Sequence, residues 1–141
     1  MTTLLHGADL HLSQEEQPYG EAVLQEILQH ARDCDALLLC GDTFDSFRDM
    51  EALQERFVEL VEAALSDTGC RVLLLPGNHE YLRAPAGDSP FARRRWGMVE
   101  VLEELPYAHR QLAPADGSRC EIVALPHRDD YSDYPSYELP A

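Results

Sequence analysis

The sequence predicts an α/β protein in which parallel strands alternate with helices, and three observations lead to that fold class. Short apolar runs alternate along the chain with longer amphipathic stretches. The run at 36–40 is almost entirely apolar, which is typical of a parallel strand that is buried on both faces. Polar motifs follow the first three apolar runs directly, as expected where ligands collect at the carboxyl ends of parallel strands.

The first five elements are predicted in the order strand, helix, strand, helix, strand. Apolar runs predict strands at 3–8, 36–40 and 71–75. Helical spacing of apolar side chains predicts helices at 19–32 and 49–65, with polar residues on the opposite face. This β-α-β-α-β pattern implies a parallel N-terminal half with right-handed crossovers.

The second half of the chain predicts a further helix and a hairpin. Apolar residues spaced through 91–105 favour a third helix. The turn-forming segment 115–118 separates strand-like runs at 110–112 and 120–125, a pattern typical of a β-hairpin.

Composition limits the size, the location and the partners of the protein. A length of 141 residues fits one domain, predicted to span 1–141. Acidic residues outnumber basic ones 26 to 11, and the net charge of −15 opposes long-range attraction to nucleic acids or to an anionic membrane. The four cysteines include no Cys-x-x-Cys pair, and the N-terminus has neither a basic region nor an apolar stretch long enough for a signal or a membrane span. Free thiols and a cytoplasmic location are therefore expected, without a membrane span.

A polar motif follows each of the three predicted parallel strands. Carboxylate, imidazole and amide ligands from neighbouring strand ends can hold two divalent cations about 3.5 to 4 Å apart, the separation that serves to activate water and clamp a phosphoryl group. Asp9 and His11 would point to the same side of an extended chain and could bind one cation together. The motifs are Asp9-Leu10-His11, Gly41-Asp42-Thr43-Phe44-Asp45 and Gly77-Asn78-His79-Glu80.

Each motif also has a simpler interpretation. Asp42 follows a buried strand and Gly41, where a carboxylate is costly unless a cation compensates its charge. Taken alone, Asp42 is better explained as a turn or helix-capping residue, and Gly77 and Asn78 are ordinary turn formers. The conjunction of three motifs, in order and each after a predicted strand, favours the metal site over turns and caps.

The motifs resemble those of the calcineurin-like metallophosphoesterase superfamily. More narrowly, the segments 6–12 and 40–45 resemble the opening of the SbcD-type DNA repair exonucleases. This resemblance covers only the N-terminal part of those proteins. It implies a β-sandwich flanked by helices (αββα) and a metal-dependent phosphoester hydrolase, most specifically a DNA exonuclease or endonuclease.

The resemblance also implies a role for individual residues. Asp9 and His11 would be ligands of the first metal, Asp42 would bridge two metals, and Asn78 would bind the second. His79 would be catalytic, approaching the phosphate or the leaving oxygen without binding metal. The two divalent ions implied for a nuclease of this family are manganese, which accepts mixed oxygen and imidazole ligands.

Further residues and partners are predicted beside those roles. Asp45 would contact a metal ligand without binding metal itself, or it would have a structural role. Arg83 and Arg93 could contact a phosphate, although an arginine cluster of this kind more often marks a solvated helix start. The substrate would be DNA or another phosphoester, an SbcC-like ATPase would be the partner of a full-length relative, and a homodimer is allowed.

The chain departs from the family pattern after the third motif. The family would supply an isolated histidine after a strand and then a Gly-His-x-His motif, and neither is visible. His109 and His127 lack that setting, and His127 is expected in a loop. Glu80 replaces the aspartate usual in nucleases of the family. The simplest interpretation is an incomplete domain, which leaves two alternatives to the nuclease: a small-molecule phosphatase or phosphodiesterase, and a catalytically incomplete metal-binding or subunit-interaction module.

Overall fold

A computed structural model describes residues 1–82, 84–85 and 89–127. The predicted alternation of strands and helices is confirmed, and the second half adds a fourth parallel strand and a hairpin. The elements are β1 (Leu4–Gly7), α1 (Gln17–Ala31), β2 (Ala36–Cys40), α2 (Phe47–Leu65), β3 (Arg71–Leu75), a 3-10 turn (His79–Tyr81), β4 (Val99–Val101), β5 (Ala108–Leu112) and β6 (Cys120–Ala124).

Four strands form one parallel sheet in the order β1-β2-β3-β4. The register pairs Leu4 with Ala36 and Ala36 with Arg71, so these three strands start at one level. Their carboxyl ends therefore meet along one edge of the sheet, where the three polar motifs begin.

Both helices begin two residues before their predicted starts. In α1, Pro18 occupies the first turn. A proline is tolerated there because a backbone N–H at that position would have no partner within the helix, and its fixed φ suits a helix. In α2, the Ser46 hydroxyl accepts a hydrogen bond from the Asp49 N–H at 3.2 Å and donates one to its carboxylate at 2.5 Å. This N-cap satisfies one of the unpaired donors at the start of the helix, so α2 begins at Phe47.

The sheet separates two cores because successive strand side chains point to opposite faces. On one face, α1 and α2 pack against the sheet and against each other. On the other face, β5 and β6 form an antiparallel hairpin, as predicted, and pack against the sheet. The strand residues facing the helices include Leu37, Leu39, Val72 and Leu74, and those facing the hairpin include Leu38, Leu73 and Leu75. The layer order of helices, sheet and hairpin sheet agrees with part of the expected αββα sandwich.

Ion pairs connect the hairpin to the parallel sheet. Arg71 on β3 donates two hydrogen bonds of 2.9 Å to the Glu100 carboxylate on the neighbouring β4. Arg110 on β5 reaches the same carboxylate at 3.2 Å and Glu104 at 2.5 Å. Two planar guanidinium groups thus hold one carboxylate between the two sheets.

The predicted helix at 91–105 is wrong. Turns occupy the first residues, and Val99–Val101 forms β4, which pairs in parallel with β3. Gly97 has φ +55°, a left-handed conformation that interrupts a right-handed helix. Phe91 and Trp96 are buried in the core beneath α2, so tertiary packing rather than helical periodicity explains the apolar residues of this segment.

Among the helices of the described ranges, neither α1 nor α2 combines the length and the apolar character that crossing a lipid bilayer would require.

Candidate metal centre

Backbone hydrogen bonds join the loops that follow β1, β2 and β3. The N–H of Asp9 donates to the carbonyl of Gly41 at 3.0 Å, and the N–H of His11 donates to the carbonyl of Asp42 at 2.9 Å. The N–H of Gly41 donates in turn to the carbonyl of Leu75 at 2.8 Å. The three motifs are therefore fixed relative to one another through the main chain before any side chain is considered.

Asp9, His11 and Asp42 all adopt positive φ, at 57°, 47° and 49°. This corrects the expectation that Asp9 and His11 project from an extended strand, because β1 ends at Gly7 and the chain turns immediately afterwards. Non-glycine residues enter this region at a cost, and such residues cluster at functional sites. The turn still brings the pair together, with His11 Nε2 at 3.8 Å from Asp9 Oδ1.

Three donor atoms converge at this edge of the sheet. One donor atom each of His11, Asp42 and His79 lies within 4.8 Å of the other two. The two imidazole rings meet edge to face, with centroids 4.5 Å apart. Imidazole nitrogen and carboxylate oxygen are suitable ligands for a divalent transition metal, so these residues fit one cation of the predicted site. The geometry groups His79 with the metal-binding donors, whereas the resemblance assigns it to the phosphate.

Asp45 orients both imidazole rings. His11 Nδ1 lies 3.0 Å from Asp45 Oδ1, and His79 Nδ1 lies 2.8 Å from the Asp45 backbone carbonyl. Because the two oxygens only accept hydrogen bonds, each ring carries its proton on Nδ1 and leaves Nε2 available. This contact is compatible with the supporting role that the resemblance implies for Asp45.

The other predicted site residues lie in different settings. Asp9 borders the donor group with its side chain 70% exposed, and Asn78 is exposed at the start of the 3-10 turn. Arg93 is exposed in the turns before β4, while Arg83 lies outside the described residues. The roles of all these residues, and those of His11, Asp42 and His79, remain predictions.

Neither of the two later histidines belongs to the three-residue donor group. His109 lies on β5 and faces Glu121 on β6, with 3.5 Å between Nε2 and Oε2. His127 follows β6 outside any strand, as expected of a loop histidine, and its ring centroid is 6.1 Å from that of Tyr81.

Sequence reasoning missed the part that Glu80 plays at this edge of the sheet. Its side chain is fully buried and accepts hydrogen bonds from the backbone N–H groups of Phe44 and Gly77. Burial raises the pKa of the Glu80 carboxyl, although the two N–H groups oppose that shift. The sequence signal for this role was an acidic residue next to His79, which was noted only as a departure from the aspartate usual in nucleases of the family.

Comparison with known families identifies the protein class. The family model described as calcineurin-like phosphoesterase matches residues 2–138. The chain belongs to the calcineurin-like phosphoesterase family. The predicted superfamily, its fold class and its enzyme class, that of metallophosphoesterases, are thereby confirmed. Members of this family use a dinuclear metal site, and the donor group of His11, Asp42 and His79 is a possible part of one in this phosphoesterase.

Curated relatives of this phosphoesterase carry one name. A UDP-2,3-diacylglucosamine hydrolase of Pseudomonas savastanoi pv. phaseolicola is 32% identical over 77 residues, which are 53% of this chain and 31% of the relative. An Azotobacter vinelandii protein of the same name is 35% identical over 85 residues, 58% of this chain and 34% of the relative. The phosphoesterase thus spans about a third of the length of these relatives. Neither name refers to DNA, so the narrower SbcD-type assignment is unconfirmed.

Proposed function

We propose that the protein hydrolyses a phosphate ester or phosphate anhydride with the help of divalent metal bound at the carboxyl edge of the parallel sheet. The observation that carries this proposal is the convergence of His11, Asp42 and His79 within 4.8 Å in a chain of the metallophosphoesterase family. Asp9 and Asn78 flank this group and are proposed to supply further oxygen ligands.

The chain's own residues would bind the cations, orient the donor groups and protonate the leaving oxygen. Divalent cations, when bound, would lower the pKa of water and neutralise charge on the phosphoryl oxygens. Asp42 uses one oxygen to accept the His79 N–H at 2.9 Å, which leaves the other oxygen for a cation. His79 is held through Nδ1 by the Asp45 carbonyl, so its Nε2 is the nitrogen that could bind a cation or protonate the leaving oxygen.

We propose a small nucleotide-linked phosphate compound, of the UDP-sugar class, as the substrate. The names of the relatives support this class. The net charge of −15 supports it too, because a polyanion such as DNA is repelled more strongly than a small substrate that carries few charges. The proposal does not extend to the acyl groups that the relatives' name mentions.

A DNA nuclease is the second candidate, and one observation favours it. The segments 6–12 and 40–45 resemble the opening of SbcD-type exonucleases more closely than a general metallophosphoesterase signature requires. Manganese as the metal, an SbcC-like partner and a homodimer belong to this second proposal.

Hydrolysis assays separate the candidate functions. With Mn²⁺ present, release of UMP from a UDP-linked sugar without cleavage of single-stranded DNA would support the first proposal, and the reverse result would support the nuclease. Bis-p-nitrophenyl phosphate serves as a general phosphodiester probe. A folded protein that is inactive on all three substrates would instead support the incomplete metal-binding or subunit-interaction module.

The metal site itself is tested by Asp42→Asn. Asparagine tolerates the positive φ of this position and keeps an oxygen for the His79 N–H, but it removes the negative charge. We expect Mn²⁺ affinity, measured by calorimetric titration, to fall at least about tenfold, corresponding to about 1.4 kcal/mol.

Asp67→Asn provides the control for Asp42→Asn. Asp67 follows α2 and forms a 3.1 Å ion pair with Arg32, so its substitution also removes one negative charge. Mn²⁺ affinity should stay within about twofold of the original value there. Equal effects of the two substitutions would contradict a specific site at Asp42.

A further inference from the structure

Carboxylates from two loops fasten those loops to each other. Asp42, in the loop after β2, accepts a hydrogen bond from the backbone N–H of His79 at 2.9 Å. Glu80, in the loop after β3, accepts one from the N–H of Phe44 at 3.0 Å and one from the N–H of Gly77 at 2.9 Å. Each loop therefore supplies a carboxylate to the other loop's main chain.

The Glu80 contacts lie next to the donor residues. Phe44 follows Asp42 by two positions, Gly77 precedes His79 by two, and Glu80 follows His79 directly. The Glu80 carboxylate joins Phe44 to Gly77 through separate oxygens, Oε1 and Oε2. A change in these contacts would displace Asp42 and His79 relative to each other.

The burial of Glu80 indicates more than a contribution to stability. The side chain is 0% exposed, and a buried carboxylate needs hydrogen bonds to offset its loss of hydration. Well-packed apolar residues often replace buried charges at no cost in stability. Here the charge is matched to two N–H groups that belong to different loops.

We propose that Glu80 is a positioning residue that sets the separation between Asp42 and His79, and thereby the spacing of the donor atoms. This inference rests on the proposed function for its consequence, metal binding. The hydrogen bonds themselves join protein atoms only, so they are testable in metal-free protein.

Glu80→Gln tests the proposal in the full chain. Glutamine has the same length, but its amide group presents one acceptor and one donor, so it cannot accept from both N–H groups. Hydrogen exchange followed by NMR on metal-free protein should show at least tenfold faster exchange at the Phe44 or Gly77 amide and at the His79 amide. Affinity for Mn²⁺ alone should fall at least tenfold.

Two control variants separate positioning from stability and from charge. Val61→Ala removes a fully buried methyl pair in the second half of α2 and lowers global stability without altering a loop contact. Glu55→Gln removes one exposed charge from the same helix. Neither control should change Mn²⁺ affinity by more than about twofold when measured under conditions where the protein is folded.

The outcomes distinguish this inference from the proposed function. Unchanged His79 exchange in Glu80→Gln, or a loss of Mn²⁺ affinity no greater than in Val61→Ala, would overturn the positioning role. Absence of Mn²⁺ binding by the unsubstituted protein, together with faster His79 exchange in Glu80→Gln, would refute the proposed function but support the positioning role.

A second variant applies if Glu80→Gln does not fold. Glu80→Asp keeps the charge but is one methylene shorter, so it should protect only one of the Phe44 and Gly77 amides. Full protection of both amides in Glu80→Asp would overturn the requirement for a side chain of this length.

Discussion

At the scale of the residue, unfavourable features concentrate where the strands end. Asp9, His11 and Asp42 have positive φ, and Glu80 is a carboxylate without solvent exposure. Each feature costs stability, and surrounding hydrogen bonds keep it in place. A stable α/β core beneath these loops, with fully buried side chains on both helices, supplies the compensation.

Thr43 offers a test of this cost. Its side chain is 1% exposed, and in the described part of the chain its hydroxyl oxygen has no hydrogen-bond partner. Valine has nearly the same shape without the polar atom, so Thr43→Val should raise the free energy of unfolding by about 1 kcal/mol. Urea denaturation followed by circular dichroism would measure the change.

Thr68→Val is the matched comparison for Thr43→Val. The Thr68 hydroxyl donates to the Leu65 carbonyl at 2.7 Å and accepts from the Cys70 N–H at 3.1 Å. Removing this hydroxyl should lower the free energy of unfolding by about 1 kcal/mol or more. A loss of stability in Thr43→Val would show that its hydroxyl has a partner after all.

At the scale of the element, the loops after β2 and β3 depend on two glycines. A Cβ on Gly41 would lie 3.5 Å from the Gly77 Cα, so the two backbones approach closely. A Cβ on Gly77 would lie only 2.1 Å from Asp42 Oδ1 and 2.4 Å from the Asp42 backbone nitrogen. The contact between the loops therefore excludes a side chain at Gly77, whereas at Gly41 it is the φ of +87° that disfavours one.

Gly77→Ala should therefore disrupt both stability and metal binding. Backbone atoms must move to admit the methyl group, at a cost of about 3 kcal/mol in the free energy of unfolding. Calorimetric Mn²⁺ titration should show at least a tenfold loss of affinity, because Asp42 is displaced directly.

Gly69→Ala is the control for this element. A Cβ there would meet no atom within 4 Å, so the free energy of unfolding should change by less than about 1 kcal/mol and Mn²⁺ affinity should not change. Similar behaviour of the two alanine variants would contradict the close packing of Gly77 on Asp42.

At the scale of the whole molecule, three layers meet at the parallel sheet, and titration of one buried thiol reports on their packing. Cys70, which immediately precedes β3, is 3% exposed, and burial, with a smaller contribution from nearby Cys34, raises its pKa to about 11. A thiol whose pKa is raised by folding stabilises the folded state below the unfolded pKa. That stabilisation is lost as the pH rises from about 9 to about 11.

The expected result is a loss of up to about 1.4 kcal/mol in the free energy of unfolding per pH unit across that range. The chain contains no lysine, so lysine titration does not obscure the measurement. Urea denaturation at several pH values between about 7 and about 10.5 would measure this slope, because the shift of the Cys70 pKa sets the pH range over which stability falls. Cys70→Ala should remove this component, whereas Cys120→Ala, at a partly exposed position on β6, should retain it.

The success of prediction from sequence varied with the range of the interactions. The strands at 36–40 and 71–75 were predicted at their observed bounds, because their unbroken apolar character follows from burial on both faces. The segment 91–105 was predicted wrongly, because Phe91, Trp96 and Val99 serve a core assembled from distant elements. Similar apolar spacing is compatible with a helix and with packed turns followed by a strand.

The sequence by itself determined the α/β class, the order of the first five elements and the superfamily of the three motifs. Those properties arise from local periodicity and from residues close together in the chain. Only the tertiary structure decided which donor atoms meet, how Asp45 orients two imidazoles and why Glu80 is buried. These depend on loop conformations and on hydrogen bonds between residues more than 30 positions apart, which no local pattern encodes.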